Sequence, residues 1–146
     1  MRQLILAIVL LLLSGLSFGQ SGIHPDIVAL NNYSIRRTGH KNVGFSVDEK
    51  ILKEIRNHKK RYIKYLFREL PDTSKTIVAH LLLLKVTGDT MAVREGVFID
   101  SLAGKYGFDY YLSGLKFRQY LNRKYEVDTK SVNDIRNRWI EVLGAQ

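Results

Sequence analysis

The longest regular pattern of apolar and polar positions runs from Ser46 to Leu70, SVDEKILKEIRNHKKRYIKYLFREL. At 3.6 residues per turn Val47, Ile51, Leu52, Ile55, Tyr62, Ile63, Leu66, Phe67 and Leu70 fall on one broad face, the pattern of a helix packed on a core. Ser46 suits its N-cap, Glu49 completes a capping box, and Asp48 and Glu49 lie against the positive end of the helix dipole. Pro71 stops the helix by driving the preceding residue out of helical geometry. The opposite face lines up Lys50, Lys53, Lys60, Arg61, Lys64 and Arg68, with Asn57 among them and Glu54 at the margin. That face is a basic stripe several turns long.

Beyond Pro71 the texture changes. Ile77, Val78, Ala79, the run Leu81–Leu84 and Val86 surround a helix on all sides, which predicts a buried element opened by Asp72 or Thr73 and closed by Gly88. Packed on the apolar face of the first helix, it forms an αα-hairpin through Pro71 and Asp72. Between Asp89 and Asp128 glycines at 96, 104, 107 and 114 punctuate a stretch crowded with Phe and Tyr, which argues for short strands around Gly96–Ile99, Asp109–Arg118 and Lys124–Val127. The last two join as a hairpin near Asn122. The competing reading, a helix from Tyr110 to Lys124, is weakened by Ser113-Gly114 at its centre. In the tail Val132, Ile135, Trp139, Val142 and Leu143 keep helical spacing, with Asp128 or Thr129 to cap the start, Gly144 at the end, Trp139 as anchor, and Arg136 and Arg138 pointing outward. The expected class is therefore α+β: an N-terminal αα-hairpin, a small antiparallel β-hairpin or meander, and a C-terminal helix. A mostly α chain is the alternative.

The N-terminus places this domain in a compartment. One Arg, an apolar run from Leu4 to Leu13 and the small residues Ser17 and Gly19 make a secretory signal peptide over residues 1–19, too short to span a bilayer. Removing it from 146 residues leaves 127, one domain's worth, and since Arg2 is the only charge removed the formal +9 falls to +8. The chain has no cysteine, so it carries neither a lipobox anchor nor disulfides, and burial or a partner must hold it together. Residues 20–45 read as an extended or partly ordered lead-in with one helical turn after Pro25, and residues 46–146 as the single globular domain. Asn32-Tyr33-Ser34 matches a glycosylation sequon, read as a chance tripeptide in an Asn-rich segment.

Candidate chemistry is sparse. Absence of cysteine excludes a thiol nucleophile, and no Ser sits in a GxSxG frame. His24, His40, His58 and His80 form no HxxxH or HExxH spacing, so neither a metal nor a cofactor is expected, and His80 reads as a hydrogen-bonded core residue. Gly104-Lys105-Tyr106-Gly107 lacks the frame of a phosphate loop. The basic stripe is the one feature with functional shape: it suits an anionic surface, an acidic glycan or a partner protein, and the export signal argues against nucleic acid. The expectation is a secreted or periplasmic, non-enzymatic binding protein. The alternative is a small extracytoplasmic hydrolase working on a glycan through Asp89, Glu95, Asp100 and Asp109, since such chemistry needs two carboxylates roughly 5 to 9.5 Å apart. A third is an inhibitor or assembly partner docking through the helix hairpin.

Overall fold

The computed structural model describes residues 22–39, 43–100 and 105–144, with the side chains of Ile99 and Asp100 left aside. The expected signal peptide lies outside the described residues. The order is α1 (Pro25–Val28), a 3-10 turn (Asn32–Ser34), β1 (Arg36–Thr38), β2 (Gly44–Ser46), α2 (Glu49–Asn57), α3 (Lys59–Glu69), α4 (Thr76–Thr87), β3 (Val93–Asp100), β4 (Lys105–Leu112), β5 (Leu115–Tyr120), β6 (Tyr125–Val127) and α5 (Thr129–Gly144). The fold is α+β, with a two-stranded antiparallel sheet β1-β2 and a four-stranded antiparallel sheet β3-β4-β5-β6.

α4 is the centre. Every residue from Thr76 to Leu84, and Val86, is buried, as an all-round apolar helix requires. It packs on α2, α3 and β5, and His80 ties it to two further elements. The His80 Nε2 bonds the Leu112 carbonyl of β4 at 3.1 Å, and Trp139 of α5 donates its indole N–H to His80 Nδ1 at 2.9 Å. Both residues are fully enclosed. Burial lowers the histidine pKa from 6.5 to about 4, so the ring is neutral, with its proton on Nε2.

The start of α4 is capped from far away. Asp72 is taken up locally, accepting from the Ser74 amide and hydroxyl at 2.9 and 2.7 Å. The free amides of Ile77 and Val78 point instead to Asn32 Oδ1, at 2.9 and 3.4 Å, while Asn32 Nδ2 donates to the Thr73 carbonyl at 2.7 Å. The sequon asparagine is thus 2% exposed and fully engaged, a structural residue of the helix start. Gly88 closes α4 in the left-handed conformation, φ 77°.

Four expectations change. Ser46 is not a cap: its backbone pairs with Arg36 in the β1-β2 ladder, and Asp48 caps α2 by accepting from the Lys50 amide at 2.8 Å. The helix expected over Ser46–Leu70 breaks at His58, whose φ of −126° and ψ of 40° lie outside helical geometry. Asn57 and His58 are both weak helix formers. Across the break Tyr62 donates its hydroxyl to Glu54 at 2.9 Å, two residues that an unbroken helix would separate by about 12 Å of axial rise. The strand expected over Asp109–Arg118 is two strands, because Ser113 (φ 44°) and Gly114 (φ 104°) form a tight turn of the kind that right-twisted hairpins favour. Arg138 does not point away: it donates to the Ser113 carbonyl at 3.1 Å and pairs with Asp89, and Arg136 is half-buried beside it in sequence.

The lead-in contributes to the core. Ile27, Leu30, Ile35 and Phe45 are buried, and Phe45 meets Tyr110 and Phe117 of the large sheet edge-on and tilted at 5.2 and 5.7 Å. The expected helical turn after Pro25 is α1, with Pro25 in its first turn and Asp26 at its positive end. The hairpin expected near Asn122 is the β5-β6 connection.

Candidate anion-binding surface

The six cations of the stripe all sit on the outside of α2 and α3. Leu52 and Ile55 turn inward from α2, and Tyr62, Tyr65 and Leu66 from α3, which leaves Lys50 and Lys53 exposed on one helix and Lys60, Arg61, Lys64 and Arg68 on the next. Arg56 and Lys59, not among the six, are exposed as well. The break joins the two arrays: Arg56, His58, Lys59, Lys60 and Arg61 surround a shallow hollow of about 390 Å³. A straight-helix reading misses this junction, although the run from Arg56 to Arg61 already marks it.

Electrostatically this surface differs from the rest of the protein. Among the described residues none of the six cations lies within ion-pair distance of a carboxylate, whereas Arg37 pairs with Glu95 at 2.7 Å, Lys75 with Glu69 at 2.7 Å and Arg118 with Asp109 at 2.8 Å. Glu54, the acid at the margin, is engaged by the Tyr62 hydroxyl and lies 3.8 Å from His58. α3 also begins against its own dipole. Lys59, Lys60 and Arg61 fill its first turn, where positive charge is unfavourable, and His58 supplies no side-chain cap.

Of the acids considered for glycan hydrolysis, Glu95 and Asp109 both border the concavity on the large sheet, from opposite faces of neighbouring strands. Glu95 pairs with Arg37 and lies opposite the buried Tyr110, on the sheet face that meets the core; Asp109 lies opposite Gly96 and Arg118, on the other face. Asp89 is held by Arg138 at the border of α5. The Asp100 side chain lies outside the described residues. Hydrogen bonding from Arg37 holds the Glu95 carboxyl below its ordinary range, and burial, with Glu95 beside it, pushes the Tyr110 hydroxyl up to about 12. These are the marks of structural ion pairs.

A second concavity of about 730 Å³ lies on the outer face of the large sheet, bounded at one side by Asp128 and Thr129 at the start of α5. The strand register puts its side chains in rows. One row is Arg94, Tyr111 and Lys116, and the next is Gly96, Asp109, Arg118 and Glu126; beyond the concavity a third row on the same face is Phe98, Gly107 and Tyr120. Phe98 and Tyr120 meet edge-on at 5.5 Å beside Gly107, where a Cβ would come within 2.2 Å of the Gln119 carbonyl. Sequence alone does not reveal these rows, because they exist only once the register is set.

Comparison of the chain with protein families, with curated proteins and with solved structures finds no match.

Proposed function

We propose that the protein is a non-enzymatic binding module that attaches to an anionic surface through the outer faces of α2 and α3. The observation that carries this reading is the start of α3. Three cations crowd the positive end of a helix that has no side-chain cap, and no carboxylate among the described residues pairs with any of them. Each such charge works against the dipole by a few tenths of a kcal/mol. Arg61 stands 5.1 Å over the Tyr62 ring; Lys59 and Lys60 have no such partner among the described residues, and local rules broken in this way cluster at functional sites. Against a surface of phosphates or carboxylates the same charges become favourable, at about 1 kcal/mol for each Lys or Arg brought close.

The test is co-sedimentation of the chain with vesicles of anionic and of neutral lipid, and retention on a sulfated glycan matrix, across a salt series. Binding to the anionic phases that falls steeply as the screening length shrinks from about 30 Å at 0.01 M to about 10 Å at 0.1 M supports the proposal. Equal binding to neutral vesicles, or none to any anionic phase at low salt, overturns it.

A further inference from the structure

We infer that the outer face of the β3-β4-β5-β6 sheet is a binding groove for an acidic sugar, a short chain whose rings each carry a single carboxylate. The volume, about 730 Å³, falls within the range of small-molecule sites. The first row supplies charge and a ring. Arg94 and Lys116 flank Tyr111 from the two neighbouring strands, about 10 Å apart across the sheet, and neither meets a carboxylate among the described residues. The Arg94 guanidinium stands over the Tyr111 ring, 5.9 Å from its centroid, which sets the cation beside the aromatic side chain at one place in the groove.

The second row supplies fixed hydroxyl partners. Arg118 lies 3.8 Å over the Phe98 ring and grips Asp109 through Nε and Nη2 at 2.8 and 3.3 Å, and Glu126 is held by the Tyr120 hydroxyl. These carboxylates keep free lone pairs while their positions are set, the preorganisation that a weakly hydrophobic ligand requires. Gly96 opens the floor: a Cβ there would meet nothing within 4 Å. Charge then narrows the ligand. With Asp109, Glu126, Asp128 and the Arg37-paired Glu95 at the groove, a dense polyanion such as a polyphosphate is repelled, whereas a ring with one carboxylate brings that group to Arg94 and Lys116 and presents its hydroxyls to the second row. This groove is separate from the α2–α3 surface, so the two stand or fall independently.

The test is calorimetric titration of the full chain with a tri-galacturonate, its neutral methyl ester and inorganic tripolyphosphate. Three variants accompany it: Gly96→Leu, Arg94→Gln/Lys116→Gln, and Lys59→Glu/Lys60→Glu on the helix surface, each checked by thermal melting. Gly96→Leu places bulk in open space on an extended strand and Arg94 and Lys116 are exposed, so the fold is retained. The expected result is saturable one-to-one binding of the trimer, lost in Gly96→Leu, weakened at least about tenfold in Arg94→Gln/Lys116→Gln and in the methyl ester, and unchanged in Lys59→Glu/Lys60→Glu. A tenfold loss corresponds to about 1.4 kcal/mol, the scale of one charge-assisted hydrogen bond. No binding of the trimer, equal binding in Gly96→Leu, loss confined to the helix variant, or tighter binding of tripolyphosphate overturns the inference. If Gly96→Leu melts early, the double Gln variant alone decides.

Discussion

Two consecutive helices of this protein begin in opposite ways. α2 starts with Asp48 as a bonded cap and Glu49 in its first turn, the arrangement that satisfies free amides and complements the dipole. α3, one residue after α2 ends, starts with no side-chain cap and with Lys59, Lys60 and Arg61. A third start, that of α4, is capped across the fold by Asn32. Polar groups in the first and third cases are committed to the fold itself, Asp48 at the surface and Asn32 in the interior. In the second they are left for the outside, and that difference separates what holds the protein together from the surface proposed above to meet a partner.

The comparison can be broken at four points. The largest effect belongs to the inward-committed group beneath the helix starts, His80. Above pH 6.5 the ring is neutral folded and unfolded, and its contribution is whole. As pH falls toward about 4 the unfolded chain takes up a proton that the buried ring refuses, so stability drops. At about 1.4 kcal/mol per pH unit the loss is about 3 kcal/mol. Glu95, whose pKa is lowered from 4.5 by Arg37, contributes to acid loss only below that value. Urea unfolding at pH 7 and pH 4.5 checks this, with His80→Gln expected to flatten the slope between them.

Next is Asn32→Ala, which leaves the Thr73 carbonyl and the Ile77 and Val78 amides without their partner. It is expected to cost about 2 kcal/mol in urea unfolding, the scale of stranded buried polar groups. Asp48→Ala, at an exposed self-capped start, costs about 1 kcal/mol in the same assay. The smallest effect has the opposite sign. Lys59→Glu/Lys60→Glu puts acids at the positive end of α3 and stabilises it by about 0.5 kcal/mol, while binding to anionic vesicles falls sharply. A variant that is both less stable and still bound would erase the distinction between the two helix starts.

Much of this was legible in the chain. The 3.6-residue period places α2, α3 and α5 and identifies Leu52, Ile55, Leu66, Ile135 and Trp139 as inward-facing, and the unbroken apolarity of Ile77–Val86 marks the central helix. The six cations were legible as exposed for the same reason, since a period shared by adjacent turns needs no distant contact. The break at His58 was less visible because helix propensity differs by only tenths of a kcal/mol among ordinary residues. Ser113-Gly114 carried the hairpin signal, yet two positive φ angles are a property of the turn between paired strands and emerge only when β4 and β5 pair.

By itself, then, the sequence determined most of the helical segments, which of their faces are apolar and where positive charge accumulates, because those depend on residues a few positions apart. Only the tertiary structure decided which polar groups are committed inward. Asn32 becomes the cap of α4 across 45 residues, His80 is locked between Leu112 and Trp139, and Arg138 turns in to Asp89. The register of four strands brings Arg94, Tyr111 and Lys116 into one row. Such pairings depend on chain closure and on a two-residue strand period, where a slip of one position moves every side chain to the other face. No local pattern specifies them.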